Sequence, residues 1–444
     1  MAATGKKGER VFIVGGGCTA FIKPRATRET SDMGLEAATK ALLDAGITYD
    51  AVEAAFVGYC YGDSTSGQAA LYNLGLTSIP ITNRNAHSRW TRALHARARV
   101  RAYDAGDLGS MWKDRANPMR PLNAATQAAE ERLGENHGPG APRQFSNAAR
   151  EYFERYGGGK GTLAKIAAKN HKHSVNNPYS QFRNGWTEEQ VLAAPQITNE
   201  LTKYMCSPTS DGAACCILAS ESFVHAHGLE NQAIEIVAQG LQTDTPDAFK
   251  GDDAMNVVGY GMSKRCADAV FAQAGASRED VGVVELHDCF AANELVTYGA
   301  LGLCPLEDAW KFAERGDNTY GGKYVINPSG GLEAKGHPLG ATGIGMHFYI
   351  AMQLRNWAGP MQAPGLFDIA DKRGKYGLVH NLGLGGAVVV SLLRRPEFFK
   401  EGGKDGRDRL GYNHAHECKP ITRKDLDKVK SKLTSERVLE FAKL

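Results

Sequence analysis

The chain has 444 residues, 42% of them hydrophobic and 23% charged, which is typical of a globular protein with about two or three domains. The net charge of +3 is too small to indicate nucleic acid as the main partner. The nine cysteines are odd in number and lack metal-ligand spacing, which disfavours a disulfide framework and a bound metal and favours a reducing compartment.

Strand and helix patterns alternate in the first 75 or so residues. The apolar run Arg10–Gly15 predicts a buried strand that leads into a glycine-rich turn, and Leu35–Ala45 predicts a helix that ends at Gly46. A second strand is predicted over Ala51–Tyr59, and a helix within Gly62–Asn73. This alternation indicates an α/β layered fold with a mixed or parallel sheet.

The stretch Lys113–Met205 differs in character, being polar and rich in proline, asparagine, histidine and glycine. Helical patterns occur in it at Ala148–Tyr156 and Leu163–His171. Its aromatic residues need burial, so the stretch is predicted to be an excursion that packs on the core rather than a linker.

The α/β alternation then resumes and forms a second block. The apolar run from residue 377 to 393 is interrupted by glycines, His380 and Asn381, so it predicts two buried strands rather than a membrane span. The other predicted elements of this block are strands at Asp211–Ala219, Ala233–Ala238 and Val281–Leu286 and helices at Met262–Ala274, Asn293–Leu301 and Gly340–Trp357.

Two turns about fifty residues apart carry the chemistry. His287 and Cys289 follow a predicted strand, where α/β folds usually bind ligands, and His337 lies among glycines before a long helix. Each residue alone is better explained by a packed histidine or an inert buried cysteine. Together they indicate proton transfer and oxyanion binding for carbonyl chemistry.

The chain resembles the thiolase superfamily, and most of all its sterol-carrier-protein-2 type. The likeness covers about residues 10 to 393 apart from one stretch. It rests on the runs Gly62–Gln68, Asn170–Gln181, Cys206–Gly212, His287–Phe290, Gly316–Gly322 and Asn327–Gly343. The resemblance implies an α/β thiolase fold, in which two similar halves form five layers with a loop domain inserted in the first half.

The resemblance also implies how the chain divides. The N-terminal half would comprise residues 10–112 and 206–230, with the loop domain at 113–205 between them. The C-terminal half would cover 231–395, followed by a charged tail at 396–444. That tail is predicted to be flexible from Lys404 to Lys443 because it is highly charged.

The activity that the resemblance implies is cleavage of 3-oxoacyl-CoA by free CoA, with branched-chain or sterol side-chain substrates included. The product would be a shortened acyl-CoA plus acetyl-CoA or propionyl-CoA, and the protein would be a homodimer. By motif, His337 resembles the histidine that activates the nucleophile, His287 the oxyanion-binding histidine, and Cys289 the acid/base thiol. No permanently bound cofactor and no metal are implied, coenzyme A being a co-substrate.

The nucleophile's segment departs from the family. Where such thiolases carry a cysteine in an asparagine-rich segment, this chain has Ser88 by direct count, or His87 if one residue is lost. Arg89 and Trp90 follow where small residues are expected, and residues 84–101 hold six arginines and no acid. Two explanations stay open. The protein is a relative that has lost its nucleophile, or the gene model is wrong over residues 84–147, through a misplaced intron or a frame change, and the true protein carries the cysteine.

Two other functions remain compatible with the sequence. A thiolase-fold decarboxylase or condensing enzyme would work without the cysteine, and a non-catalytic acyl-CoA or lipid-binding protein would not need it. The C-terminal Ala442-Lys443-Leu444 differs by one small residue from the Ser-Lys-Leu peroxisomal signal. A peroxisomal location and recognition by the import receptor are therefore predicted.

Overall fold

A computed structural model describes residues 9–24, 28–60, 64–85, 120–249, 253–384, 386–402 and 406–433. The strands within these residues are β1 (Val11–Cys18), β2 (Ala55–Tyr59), β3 (Ile81–Asn85), β4 (Ala214–Ser220), β5 (Ile234–Gln242), β6 (Val281–Glu285), β7 (Val325–Ile326), β8 (Tyr376–Gly383) and β9 (Ala387–Arg394). The strands predicted at Asp211–Ala219 and within residues 377–393 are thus confirmed. The predicted strand Ala51–Tyr59 begins only at Ala55, after a short 3-10 turn.

The helices of the first 226 residues are α1 (Thr30–Ala45), α2 (Ser66–Leu71), α3 (Arg120–Leu133), α4 (Gly140–Tyr156), α5 (Lys160–Ser174), α6 (Glu188–Leu192) and α7 (Glu221–Ala226). Those that follow are α8 (Ala254–Val257), α9 (Tyr260–Ala274), α10 (Ala291–Ala300), α11 (Ala309–Glu314), α12 (Gly331–Lys335), α13 (Thr342–Arg355), α14 (Gly406–Leu410) and α15 (Arg423–Val429). Every helix predicted from the sequence overlaps one of these, although the predicted Gly340–Trp357 extends two residues beyond α13 at each end and Asn293–Leu301 one residue beyond α10.

Seven strands form one mixed sheet in the order β4-β1-β5-β9-β8-β6-β7, and β2 pairs with β3 in a separate parallel pair. β6 runs parallel to both β7 and β8, so the carboxyl end of β6 lies beside theirs. The sheet and its covering helices enclose the main hydrophobic core, which includes Leu286 and Leu378. The mixed α/β class predicted from the sequence is confirmed.

The glycines of β1 explain why two helices can sandwich this strand. A side chain at Gly15 or Gly17 would collide with the backbone of α1, and one at Gly16 would come within 2.8 Å of Phe348 on α13. Glycine at these positions therefore lets both helices approach the strand closely. The turn predicted after Gly15 is wrong, because the strand continues to Cys18.

The excursion predicted after residue 112 is helical in its described part. α4 and α5 bury Tyr152 and Leu163 in the main core, and α3 packs on α4 with Ala129 buried. The described helices of this stretch therefore pack into the main core. Within the described chain, no helix is both long and apolar enough to cross a bilayer.

The residues after β9 return to the first helix. Arg409 of α14 donates to the carbonyl of Leu43 at 2.9 Å, and the amide of Ser431 donates to the carbonyl of Leu74 at 2.7 Å. Val429 of α15 is buried in the small apolar cluster beneath α1. The predicted flexible tail is thus wrong for residues 406–433, because its few apolar side chains and its arginines bind the surface of the first half.

Candidate active site

The buried strand β6 delivers His287 to the centre of the site. Two residues after the strand ends, its imidazole is 3% exposed, and Nδ1 lies 2.8 Å from Oδ1 of Asn381 on β8. The backbone amide of His287 lies 3.4 Å from Nδ1 of His380, the neighbour of Asn381. β6 and β8 are parallel neighbours, and successive residues of β8 hold two parts of His287. His380 contacts its backbone amide and Asn381 contacts its ring.

His337 meets His287 from the other motif. The two imidazoles lie edge to face, with centroids 4.9 Å apart and planes at 85°. The turn that carries His337 is held by the hydroxyl of Ser210, which accepts from the His337 amide at 3.1 Å. The sequence prediction that the two histidines serve one site is therefore consistent with their placement.

The surroundings of His337 select one tautomer. Its Nδ1 lies 2.7 Å from Oγ1 of Thr342, the first residue of α13, and that hydroxyl donates to the carbonyl of Pro338 at 3.0 Å. A hydroxyl has one hydrogen, so Thr342 accepts from Nδ1–H of the ring. Nε2 is then the nitrogen that takes up a proton, as a general base requires.

Cys289 lies in the same turn as His287, 7% exposed. Its carbonyl accepts from the amide of Ser207 at 2.9 Å, and its sulfur lies 4.0 Å from Nδ2 of Asn293. Burial raises the pKa of the thiol well above its ordinary value, and the neighbouring Asp288 acts in the same direction. Cys289 therefore rests as a thiol that can give up a proton to a strong base such as an enolate.

A buried polar cluster lies behind the turn. Oxygens of Asp288, Glu294 and Glu333 lie within 4.8 Å of one another, which also suits a metal ion. The ammonium of Lys169 pairs with Glu294, and the side-chain amide of Asn170 donates to all three carboxyl groups. Burial and the other two carboxylates raise the pKa of Glu333. Since these donors already occupy the space between the oxygens, we assign no metal to the cluster.

His380 supports the site without facing it. Its Nε2 contacts the hydroxyl of Ser263 at 3.0 Å, and burial, followed by nearby His287, lowers its pKa to about 3. The ring thus stays neutral in the folded protein, whereas in the unfolded chain it becomes protonated below its ordinary value of 6.5. Below that pH the unfolded state binds more protons, so this residue's contribution to stability falls as the pH drops towards 3.

We expect His380→Gln to reveal this linkage. The difference in free energy of unfolding between wild type and variant should shrink on going from pH 7.5 to pH 5, by up to about 1.4 kcal/mol per pH unit below the unfolded pKa. Urea denaturation at both pH values measures it. Taking the difference between the two proteins cancels the contribution of the buried carboxyl groups, whose effect on stability changes with pH in the opposite direction. A difference that stays constant with pH would contradict the neutral buried imidazole.

Three residues of the site were not singled out from the sequence. Thr342 and Ser210 lie in runs that were recognised, and Asn381 lies in the apolar run from residue 377 to 393, but their side chains matter through contacts that sequence spacing does not show. Thr342 was the easier of these residues to find from the sequence, because it lies five residues after His337 at the start of a helix. Ser210 lies in a third segment, whose position beside His337 follows only from the fold.

The predicted nucleophile position lies outside the described residues, as do His87, Arg89 and Trp90 and the C-terminal tripeptide. The chain is described up to Asn85, which pairs with Tyr59 across β2 and β3. The neighbouring asparagine, Asn83, accepts from the amide of Gly67 at 2.7 Å, so the start of this segment is tied to α2.

The chain is similar to several known proteins. Residues 251–389 match the family model of the thiolase C-terminal domain. "Sterol carrier protein 2" of Bos taurus is 47% identical over 402 residues, which cover 87% of this chain and 72% of that protein. "Non-specific lipid-transfer protein-like 2" of Caenorhabditis elegans is 40% identical over 404 residues, covering 87% and 96%.

A solved structure described as "Ltp2-ChsH2(DUF35) aldolase" superposes with a TM-score of 0.65 over 86% of this chain and 98% of its own, at 18% identity. At that identity the likeness bears on the fold alone, and it agrees with the mixed sheet. The resemblance inferred from the motifs is confirmed by the relatives' identity over most of the chain. The chain belongs to the sterol carrier protein 2 family, in its thiolase-domain form.

Proposed function

We propose that the protein cleaves 3-oxoacyl-CoA thiolytically, with CoA as the second substrate. The observation that carries the proposal is the edge-to-face pair of His287 and His337, with the buried thiol of Cys289 two residues after His287 in the same turn. One face of the site would thus hold a base, an oxyanion donor and an acid, which are the three groups that cleavage of a 3-oxoacyl chain requires.

The geometry supports the following proposed roles. Nε2 of His337 takes the proton of the nucleophile as it attacks the 3-keto carbon, and the imidazoles stabilise the alkoxide that forms. When the C2–C3 bond breaks, the Cys289 thiol protonates the departing enolate of acetyl-CoA or propionyl-CoA, and the shortened acyl group stays on the nucleophile. In the second step the Cys289 thiolate removes the proton of CoA, whose sulfur attacks the acyl-enzyme. The acyl group leaves as the shortened acyl-CoA, and the nucleophile recovers its proton from His337.

The end of the β2–β3 pair lies close to the His337 turn. A side chain at Gly340, three residues after His337, would come within about 3.1 Å of Gly58 and Tyr59, so the end of β2 lies against the His337 turn. β3 leaves the same edge at Asn85. The described chain therefore comes close to the His337 turn at Asn85, three residues before the predicted nucleophile position, which supports the proposal.

Serine is a poor nucleophile for this role, because cysteine has an accessible anion near neutral pH and serine does not. Two functions are therefore kept as alternatives. The nucleophile-less protein would be a decarboxylase or condensing enzyme in which His287 and His337 stabilise an enolate, or it would bind acyl-CoA or lipid without turnover.

One set of assays separates these functions. The chain as written and its Ser88→Cys variant are mixed with 3-oxoacyl-CoA of straight, branched and sterol side-chain types plus CoA, and loss of the 3-oxoacyl enolate absorbance is followed. We expect turnover by Ser88→Cys and an acyl group on residue 88 by mass spectrometry. Carbon dioxide from malonyl-CoA, with no thiolysis by either protein, would favour the decarboxylase. Saturable acyl-CoA binding without either reaction would favour the binding protein.

Sequencing the transcript across codons 80 to 148 completes the test. A cysteine in an asparagine-rich segment would make the active thiolase the natural protein. Codons for Ser88, Arg89 and Trp90 as written would leave thiolysis to the engineered variant and support one of the two alternatives.

The remaining parts of the proposal concern assembly and location. We propose a homodimer that binds acyl-CoA and CoA, with no permanently bound cofactor, and the division into halves, loop domain and tail given by the family resemblance. The closeness of Ala442-Lys443-Leu444 to the peroxisomal signal supports location in the peroxisome. Import of a fluorescent fusion into peroxisomes, and its loss when the last three residues are removed, tests this.

A further inference from the structure

Asp288 separates His287 from Cys289 in the sequence, yet its side chain bonds a different segment. Oδ1 accepts from the amide of Leu332 at 2.7 Å. Oδ2 accepts from Asn170 Nδ2 at 3.0 Å and from the amide of Glu333 at 3.4 Å. The carboxyl group of the first motif therefore caps the first turn of α12, which ends two residues before His337.

α12 needs such an external cap. The first amides of a helix have no partner within it, and a side chain at the N-cap position usually accepts from them. Here the N-cap is Gly330, which has no side chain to do so. In the described structure, Asp288 of the neighbouring motif accepts the hydrogen bonds from these amides, because Gly330 has no side chain that could accept them.

The glycine beside the cap is required by the same contact. Gly331 has φ +60°, and a side chain there would collide with the carboxyl group of Asp288. The absence of a Cβ thus allows the carboxyl group to reach the helix amides. The Gly330-Gly331 pair of the second motif and Asp288 of the first form one arrangement.

Other contacts join the same two segments but hold different points. Glu285 accepts from the hydroxyl of Ser329 at 2.8 Å and pairs with Lys335 at 3.3 Å. Oδ1 of Asn327 accepts from the amide of Leu286 at 2.9 Å. The contacts of Ser329 and Asn327 fix where the second segment leaves the sheet, and the pair with Lys335 holds the last residue of α12. The Asp288 cap holds the opposite end of the helix, at its first amides.

We propose that Asp288 is a positioning residue that sets the geometry between the imidazoles of His287 and His337. It touches neither ring in the described contacts. It acts by bonding α12, the helix that leads to His337, to the turn that carries His287. The role in catalysis rests on the proposed function, whereas the role in geometry does not.

A spectroscopic experiment tests the geometry without any activity. Proteins labelled with ¹⁵N-histidine are compared as wild type, Asp288→Asn and Asp288→Ala, with the His337 signal assigned by its loss in His337→Gln. We expect Nδ1–H of His337 in the wild type and a mixture of tautomers in the variants. The matched control is Asp253→Asn, because Asp253 caps the short helix α8 through Asn256 N at 2.9 Å. It should leave the His337 signal unchanged.

Kinetics provide the second readout. In a form that turns over, we expect Asp288→Asn to lower kcat by up to about a hundredfold with little change in KM, as for a misplaced catalytic group. Asp253→Asn should lose thermal stability and keep its kcat. The asparagine retains one acceptor for Leu332 and so is expected to fold even where the alanine does not.

The outcomes are distinguishable. An unchanged His337 tautomer in Asp288→Asn would overturn the positioning role, as would equal kinetic effects in Asp288→Asn and Asp253→Asn. Absence of thiolysis in wild type and Ser88→Cys alike would count against the proposed function only, since the spectra still decide whether Asp288 sets the ring.

Discussion

Replacing His337 with glutamine is expected to lower kcat for thiolysis by about 10²- to 10⁴-fold, the usual contribution of a general base. The reason is the tautomer that Thr342 imposes, which directs Nε2 rather than Nδ1 to the proton of the nucleophile. Glutamine retains hydrogen bonding but takes up no proton. KM for the 3-oxoacyl-CoA should change little, because the lost interaction belongs to the transition state.

The measurement uses whichever form turns over, the chain as written or Ser88→Cys. His347→Gln is a suitable control, because His347 is a buried histidine of α13 whose ring contacts the Gly343 carbonyl and the Ser391 hydroxyl. It should lose stability more than kcat. Equal kcat in His337→Gln and the parent protein would rule out His337 as the base.

The second large effect concerns stability. Arg355 at the end of α13 pairs with Asp44 of α1 at 2.8 Å, and both side chains are 2% exposed. Arg355 also donates to the Gln232 carbonyl at 2.7 Å, and Asp44 accepts from the amide of Gly16 at 2.8 Å. We expect Arg355→Met to lower the free energy of unfolding by about 3–5 kcal/mol, since it leaves a buried carboxylate without its partner.

Denaturant unfolding followed by circular dichroism measures this loss. The control is Lys264→Met, because Lys264 pairs with Asp268 at 2.8 Å while both side chains are about half exposed. An exposed pair of this kind contributes at most about 1 kcal/mol. If both variants lost the same stability, the buried pair would not be a determinant of the fold.

The sequence was informative where a local pattern decides the structure. The helix predicted at Met262–Ala274 and the strand at Val281–Leu286 match α9 and β6 within two residues, because apolar spacing alone determines such buried elements. The glycines of β1 show the opposite case. They suggested a turn, but two helices packed against the strand from other parts of the chain require them.

The candidate site shows the same division. His287, Cys289 and His337 were identifiable because the motif places an unusual combination of residue types in turns. The bond from His287 to Asn381 was not, since it joins strands that lie ninety-four residues apart in the chain. The cap from Asp288 to α12 was not predicted for the same reason, because an acceptor forty-four residues away in the chain leaves no periodic pattern.

The return of the C-terminal segment to α1 has a consequence for how the protein is made. Asp44 and the carbonyl of Leu43 bind Arg355 and Arg409, and Lys40 lies 3.8 Å from the sulfur of Cys418. During translation, α1 emerges more than three hundred residues before these partners. Asp44 therefore leaves the ribosome long before the arginine that pairs with it, so these contacts of α1 form only after most of the chain has been made.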